Sequence, residues 1–183
     1  MRSCDRQKAT QEADESMDLE NMYRLGKPCF YLVSLEDGQF RNLYLRLVGS
    51  RKNAIVRVIR GQKSTTVQDL FNEVGAALQF PYYFGENWNA FSECITDLDW
   101  LEGDAYLLLV SKAKSLLCAA DSEDFSILLR VLSDASLEWQ KPNEYIPRNR
   151  APTPFHVAFQ CTASDIAEFR LRLAQAAAEF AEL

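Results

Sequence analysis

The sequence predicts an α/β fold, in which parallel strands alternate with helices. Short apolar runs typical of strands occur at residues 54–59, 105–110 and 155–160. Segments with apolar residues at helical spacing separate these runs, and they are long enough for right-handed crossover connections. The composition is that of a folded globular chain, since 48% of the 183 residues are hydrophobic and 25% are charged.

The chain before residue 54 is predicted to add two segments to the main domain. Residues 1–27 are polar and become acidic toward their end, which predicts a flexible N-terminal segment. In residues 28–53, alternating apolar residues flank the turn signal Asp37-Gly38. This pattern predicts a β-hairpin extension.

Residues 54–162 form the predicted main domain, which begins with a strand and two helices. Thr66 is placed to cap the first helix, with Asp69 three positions later. After a turn-rich connection, Asn87 is the predicted N-cap of the second helix. The buried stripe of this helix is predicted to consist of Trp88, Phe91, Ile95 and Leu98.

The second half of the chain continues the alternation. The strand at residues 105–110 precedes a helix that starts at Asp121 or Ser122 and ends near residue 138. Residues 141–154 contain four prolines and are predicted to form a long loop, because proline lacks the backbone donor. The strand at 155–160 leads to a C-terminal helix, predicted over residues 163–183 and packed on the domain.

Charge, cysteine and histidine content exclude several classes of function. The net charge of −6 disfavours direct binding to nucleic acid or to an anionic membrane. The five cysteines are widely spaced without a C-x-x-C pair, and no apolar run has the length of a signal or a membrane span. We therefore expect a cytoplasmic protein with free thiols and no metal site.

The sequence contains no catalytic or cofactor motif. The single histidine, His156, lies within an apolar strand pattern, which predicts a packed side chain and not a general base. A phosphate-binding loop, a dinucleotide fingerprint and a zinc-protease motif are all missing from the sequence. We predict a non-enzymatic protein without a cofactor.

The most informative feature is a long interval that contains acidic residues and no basic ones. Lysine and arginine are absent between Lys63 and Lys112. The acidic residues of this interval are Asp69, Glu73, Glu86, Glu93, Asp97, Asp99, Glu102 and Asp104. An acidic protein can contain such a stretch by chance. However, carboxylates in the second half of a helix are unfavourable to its dipole, so stability alone does not account for Glu93 and Asp97.

Three polar residues of this interval are predicted to line one exposed ridge of the second helix. Asn89, Glu93 and Asp97 follow one another at i, i+4 and i+8. Next to this ridge, Tyr82, Tyr83 and Phe84 form an aromatic run in a turn; Phe84 is predicted to close the core and Tyr83 to supply contact area. Such a surface suits a cationic protein partner.

Residues 80–100, FPYYFGENWNAFSECITDLDW, resemble the signature of the barstar family of ribonuclease inhibitors, in which a Y-[YF]-G-x-N loop opens an acidic helix. The resemblance implies a small three-stranded parallel sheet packed by helices. The hairpin and the C-terminal helix would be additions to it. The implied function is that of an immunity protein, which blocks the positively charged active site of a toxic nuclease and so protects the cell that makes it. The nuclease class that the resemblance implies is a ribonuclease.

The resemblance also assigns roles to residues by their position in the motif. Glu93 stands where the family's principal inhibitory aspartate enters the phosphate-binding site of the enzyme, and Asp134 corresponds to an acid on a later helix. Asn89 replaces a second acid and Ser92 replaces a helix aromatic, so the target can differ from that of the family prototype. The predicted partner-binding residues are Tyr83, Gly85, Asn87, Trp88, Asn89, Ser92, Glu93, Asp97 and Asp134.

Two other functions are compatible with the sequence. A barstar-fold interaction module that binds a regulatory partner without inhibiting an enzyme would account for the missing acid at Asn89 and for the added segments. The other is a hydrolase that uses clustered carboxylates as metal ligands. The sequence specifies neither the substrate of the target nor an oligomeric state.

Overall fold

A computed structural model describes residues 19–143 and 150–183 of the chain. Within these residues, five parallel strands form one sheet in the order β2-β3-β4-β1-β5. The strands are β1 (Phe30–Ser34), β2 (Ala54–Arg60), β3 (Ala105–Ser111), β4 (Phe155–Cys161) and β5 (Phe180–Glu182). The helices are α1 (Asp37–Ser50), α2 (Val67–Leu78), α3 (Trp88–Asp97), α4 (Ser122–Trp139) and α5 (Ile166–Gln175), and 3₁₀ turns lie at Gly61–Lys63 and Ala113–Ser115. The predicted α/β class is confirmed.

Helices cover both faces of the sheet, which explains why the central strands are apolar along their whole length. Helix α1 packs on one face, where the core contains Tyr31, Val33, Phe40, Leu43, Leu47, Leu107 and Leu109. Helices α2 to α5 pack on the other face, where the core contains Phe30, Leu32, Phe71, Phe91, Leu108, Leu128 and Phe169. The sheet therefore separates α1 from α3.

The predicted hairpin in residues 28–53 is wrong. Strand β1 pairs in parallel with β4 and β5, and helix α1 stands where the second hairpin strand was expected. The buried residues Phe40, Leu43 and Leu47 are spaced for one face of a helix, a pattern that the apparent alternation concealed. Asp37 opens the first turn of this helix, where a carboxylate is favourable to the helix dipole.

The sheet is larger than the three strands implied by the family resemblance. Strands β2, β3 and β4 confirm the predicted strands of the main domain, while β1 and β5 add two strands from outside residues 54–162. The predicted C-terminal helix is shorter than residues 163–183. Helix α5 ends at Gln175, Ala177 adopts a left-handed backbone with φ of 53°, and the chain then forms β5 beside β1.

Two predicted segments lie partly outside the described residues. Of the predicted flexible segment, residues 1–18 are outside them, whereas Tyr23 is buried and its hydroxyl donates to the Leu47 carbonyl at 2.7 Å. Residues 144–149 of the proline-rich loop are also outside them. On either side of this gap, Asn143 and Arg150 exchange two backbone hydrogen bonds of 2.9 Å.

The caps of the two helices that precede β3 are confirmed. The Thr66 hydroxyl accepts from the Asp69 N–H at 3.1 Å, and the Asp69 carboxylate accepts from the Thr66 N–H at 3.3 Å. At the start of α3, the Asn87 side-chain oxygen accepts from the Ala90 N–H at 3.0 Å. These bonds satisfy backbone donors that the first turn of a helix leaves unpaired.

The N-cap of α3 can be tested with two neighbouring asparagines. We expect Asn87→Ala to lower the free energy of unfolding by about 1 kcal/mol, because the Ala90 N–H loses its acceptor. The matched control is Asn89→Ala, an exposed position within the helix, with an expected change within about 0.5 kcal/mol. Urea denaturation of both variants measures the difference, and equal losses would contradict the capping role.

His156 gives a pH dependence with a defined direction. It is 2% exposed, and burial lowers the pKa of its imidazole below the ordinary value of 6.5. The unfolded chain therefore binds a proton at a higher pH than the folded protein, so this contribution to stability is present above about pH 6.5 and is lost as the pH falls. We expect the free energy of unfolding to decrease from neutral pH to about pH 5.5, above the range in which ordinary carboxylates titrate.

A variant without the imidazole isolates this effect, because His156 is the only histidine of the sequence. We expect His156→Gln to be less stable at neutral pH but to lose less stability on acidification. Denaturant titrations at both pH values measure the two slopes. Identical pH slopes in the variant and the native protein would show that another group titrates.

Candidate protein-protein interface

A cluster of aromatic rings lies beneath the loop between α2 and α3. The Phe71 ring centroid lies 5.8 Å from that of Phe84, 5.1 Å from that of Trp88 and 5.6 Å from that of Phe91. Phe80 contacts Phe84 with a centroid distance of 5.0 Å. Pairs of this kind contribute about 0.5–1.5 kcal/mol beyond the area they bury. The loop is therefore anchored in the core at both ends, through Phe80 and Phe84.

Between these anchors, two tyrosines project into solvent. Tyr82 is 100% exposed and Tyr83 is 68% exposed, and their rings pack edge to face with centroids 5.4 Å apart. The Phe84 N–H donates to the Pro81 carbonyl at 2.9 Å and closes the turn below them. The loop thus presents exposed aromatic surface, a feature that protein interfaces favour.

Tyr82 was not among the predicted partner-binding residues, although it is the more exposed of the two tyrosines. A signal for it was present in the sequence, since the loop is flanked by Phe80 and Phe84 and only the residues between such anchors can point outward. The predicted role of Phe84 in closing the core agrees with its ring contacts. We add Tyr82 to the candidate interface.

Gly85 and Asn87 shape the loop through contacts with each other. The Asn87 side-chain nitrogen donates to the Gly85 carbonyl at 3.0 Å while its oxygen caps α3. A Cβ atom at Gly85 would lie 3.1 Å from that nitrogen, closer than most Cβ contacts. Asn87 thus uses both ends of its amide inside the loop, so its structural contribution is to position its neighbours.

Trp88 is half-buried and joins the loop to the rest of the domain. Its indole N–H donates to the Asp124 carboxylate on α4 at 3.2 Å, and its ring packs on Phe71 and Phe91. Trp88 therefore fixes the orientation of α3 relative to α4.

The outer face of α3 carries the predicted acidic ridge. Asn89 and Glu93 are exposed, while Ser92 and Asp97 are half-buried. Glu93 makes no ion pair with any residue of the described segments, so its carboxylate is available to a partner. It is the exposed acid nearest the centre of this helix.

A cation of the chain itself lies at the C-terminal end of the ridge. The Arg150 guanidinium donates to the Thr96 carbonyl at 3.3 Å and stacks 3.7 Å from the Trp139 ring centroid. Burial lowers the pKa of Arg150, and the charge of Asp97 is among the influences that oppose this shift. The positive charge of Arg150 therefore partly balances the negative charge of Asp97. The unbalanced negative charge of the ridge is concentrated at Glu93.

Other acids of the base-free interval also have structural partners. The Glu73 carboxylate pairs with Arg60 at 2.7 Å, and this hydrogen bond lowers its pKa. Hydrogen bonds from Thr66 and Thr65 lower the pKa of Asp69. The acidic interval is thus a mixture of structural carboxylates and free ones.

The structure places Asp134 apart from the α3 ridge. Helix α4 packs on α3 through Asp124 and through Trp139, whose indole N–H donates to the Ile95 carbonyl at 2.9 Å. At roughly 100° per residue, Asp134 is rotated about 80° from Asp124 and about 140° from Trp139 around the helix. It lines a cavity of about 260 Å³ with Lys27, Cys29, Ser133 and Glu179.

Nowhere in residues 19–143 and 150–183 do three or more histidine, cysteine, aspartate or glutamate side chains cluster so that they could hold a metal ion. In the same part of the chain, every helix is too short or too polar to cross a membrane.

The fold is similar to that of solved ORC and Cdc6 proteins. A Cdc6p from Pyrobaculum aerophilum matches with a TM-score of 0.60 and 13% identity, covering 95% of this chain and 44% of that one. ORC2 of Aeropyrum pernix matches with a TM-score of 0.58 and 11% identity over 93% and 47%. Drosophila ORC bound to AT-rich DNA and Cdc6 matches with a TM-score of 0.52 and 12% identity over 93% and 51%. This chain thus spans about half of their length or less, and the likeness shows the fold alone.

In open parallel sheets, a nucleotide phosphate binds at the turn between the end of a strand and the following helix. In this chain, the turn between β1 and α1 is unsuited to an anion. Only Leu35 and Glu36 separate β1 from α1, without a glycine-rich loop, and Asp37 adds a second carboxylate. Asp37 pairs with Lys112 at 3.3 Å. The Gln160 side chain accepts from the Lys112 N–H at 2.7 Å and donates to the Leu35 carbonyl, so it bridges the segments that follow β3 and β1 at the carboxyl edge of the sheet.

No curated protein matches the chain. A family model described as barstar, the barnase inhibitor, matches residues 54–160. This range runs from β2 to β4, includes the aromatic cluster and the α3 ridge, and makes up more than half of the sequence. The chain belongs to the barstar family.

Proposed function

We propose that this protein is an immunity protein that blocks the cationic active site of a toxic ribonuclease with the surface formed by Tyr82, Tyr83 and the exposed side of α3. The observation that carries the proposal is the position of Glu93. Its carboxylate is exposed and makes no ion pair within the described residues, and it follows an anchored loop that displays two exposed tyrosines. Membership of an inhibitor family supports the same function.

The chemistry of the blockade is the imitation of a phosphate by a carboxylate. A ribonuclease holds the phosphate of its substrate with arginine, lysine and backbone donors. The Glu93 carboxylate can accept the same charge-assisted hydrogen bonds, which are shorter and stronger than those between neutral groups. Because α3 is held in place before binding, the order needed for these bonds is already present. The inhibitor itself needs no catalytic group and no cofactor for this role.

The neighbouring residues give the proposed surface its shape. Tyr82 and Tyr83 supply apolar contact area, while Gly85, Asn87 and Trp88 hold the loop and the first turn of α3 in position. Asn89 and Ser92 put smaller or uncharged side chains beside Glu93. This surface suits a target whose basic site is narrow and receives one carboxylate instead of two.

The remaining acids have lesser parts in the proposal. Asp97 contributes to the negative field, although Arg150 reduces its effect. Asp134 lies on another side of α4, so we assign it only a long-range contribution to the field. A negative surface accelerates encounter with a positive one, and salt screens this attraction over about 8 Å at physiological ionic strength.

An interaction module that inhibits no enzyme is the second candidate function. The observation that favours it is the addition of β1, α1 and β5 to the family domain, which provides surface beyond that needed for an active-site block. In this case Glu93 would bind a basic partner without any effect on catalysis. Binding and inhibition must therefore be measured separately.

Charge reversal at Glu93 tests the proposal. We expect Glu93→Lys to weaken inhibition of the target ribonuclease by roughly 30-fold or more, because a cation then faces the phosphate site. The matched control is Glu123→Lys, which makes the same charge change at an exposed position in the first turn of α4. The inhibition constant for RNA hydrolysis measures both variants, and equal effects would exclude a specific role for Glu93.

The probes for this experiment are barnase and any nuclease toxin that is encoded beside the gene for this protein. A stoichiometric loss of RNA hydrolysis, weakened by salt, would support the inhibitor. Binding by calorimetry with full activity at saturation would favour the interaction module. If neither nuclease bound, and if expression of this protein did not protect cells from the toxin, the proposed function would be wrong.

A further inference from the structure

The chain separates its charges into two blocks of opposite sign. Between Asp37 and Asp69 it has seven basic residues and no acidic one, whereas between Lys63 and Lys112 it has eight acidic residues and no basic one. The basic block consists of Arg41, Arg46, Arg51, Lys52, Arg57, Arg60 and Lys63. Because α1 and α3 pack on opposite faces of the sheet, folding keeps the α1 part of the basic block away from the acidic ridge.

Part of the basic block is used inside the structure. Arg57 donates to the Ala77 carbonyl at 3.0 Å, and Arg60 pairs with Glu73. Arg51 pairs with Glu20 at 3.4 Å. By contrast, neither Arg41 nor Lys52 makes an ion pair or a side-chain hydrogen bond within the described residues. These two cations are available to a partner.

The free cations flank a pair of exposed apolar side chains. Arg41, Leu45 and Val48 follow at i, i+4 and i+7 along the outer side of α1, and Lys52 comes just after the helix ends. Leu45 is 53% exposed and Val48 is 45% exposed. We call these four residues the α1 ridge. Contiguous apolar side chains bordered by charges are typical of a protein interface.

The α1 ridge has a counterpart on the same molecule. Tyr82 and Tyr83 are the exposed apolar pair of the α3 side, and Glu93 is its free charge. Each surface thus combines two exposed apolar side chains with unpaired charge of one sign, and the two signs are opposite. We infer that two copies of this chain associate head to tail, with the α1 ridge of one copy on the Tyr82–Glu93 surface of the other.

This arrangement satisfies both kinds of side chain at once. Leu45 and Val48 pack on the tyrosine rings, and Arg41 and Lys52 surround the Glu93 carboxylate. A nucleic acid would neutralise the two cations but would leave the aliphatic side chains in water. A symmetric contact between two α1 ridges would bring the like charges of Arg41 and Lys52 together. The second copy is the occupant that meets both requirements.

Head-to-tail contact regulates the surface to which we assign inhibition. A heterologous contact forms a ring where the rotation between copies closes; otherwise it leaves one α1 ridge and one Tyr82–Glu93 surface free at the two ends of each assembly. Inside the assembly, the Tyr82–Glu93 surface is covered. Self-association and nuclease binding therefore compete. This consequence rests on the proposed function, whereas the self-association itself does not.

Sedimentation velocity over a wide range of protein concentration, at low salt and without any nuclease, tests the inference. We expect the sedimentation coefficient to rise with concentration. Arg41→Glu and Glu93→Arg should each weaken association by about tenfold or more, because each places like charges in the contact. Arg130→Glu is the matched control, since it reverses an exposed cation on α4 outside the contact, and it should associate like the native protein.

A mixture of the two charge-reversed variants gives the decisive result. In an equal mixture, the reversed ridge of one variant meets the reversed surface of the other, and the native ridge meets the native surface. Association should therefore return in the mixture, at concentrations where each variant alone associates weakly. A native protein that stays monomeric at every concentration would overturn the inference. So would association that is insensitive to both reversals but is lost in Leu45→Asp, because this result indicates a symmetric α1 contact.

The same samples separate this inference from the proposed function. If the native protein associates and the mixture restores association, the inference holds even when barnase and the co-encoded toxin are not inhibited. If a nuclease is inhibited but the native protein remains monomeric, the proposed function holds and the head-to-tail contact is wrong.

Discussion

The packing of aromatic rings around Phe71 is the constraint on which the candidate interface depends. Phe71 lies on α2 and contacts Phe84 of the loop together with Trp88 and Phe91 of α3, so a single side chain ties three consecutive segments to each other. These rings exclude water and have few alternative arrangements, because a close-packed core does not deform continuously. This buried cluster holds the loop and the helix that carry the exposed tyrosines and Glu93. The affinity of the candidate interface therefore depends on the stability of the aromatic cluster around Phe71.

Local patterns predicted the elements that carry the interface, and long-range contacts decided the rest. The caps at Thr66 and Asn87 depend on residues three positions away, so they could be identified from the sequence. Residues 28–53 were misassigned, because Leu43 and Leu47 are four positions apart and fit both the strand period and the helix period over a short window. The parallel pairing of β1 with β4 joins residues more than a hundred positions apart, and no pattern within either strand specifies it.

The same distinction applies to the candidate site. The ridge of Asn89 and Glu93 follows from helical spacing alone, and both residues are exposed as predicted. The balance of Asp97 by Arg150 could not be predicted, because Arg150 approaches from the far end of the proline-rich loop. The separation of Asp134 from α3 depends on the side of α4 that faces its neighbour. Charge counts in a sequence therefore overstate the free charge of a surface, since partners from elsewhere in the chain neutralise part of it.

The segments outside the family match change what the molecule can bind. Without β1 and α1, the face of the sheet that contains Leu107 and Leu109 would lose its cover. Helix α1 buries this face with one side and exposes Leu45 and Val48 with the other. A cover helix needs apolar residues only on its inner side, so stability of the domain does not account for the outer pair. Stability of the domain likewise does not account for the free cations, Arg41 and Lys52, beside this pair. A second contact surface explains both features, and within the described residues the surface that contains Glu93 has the matching chemistry.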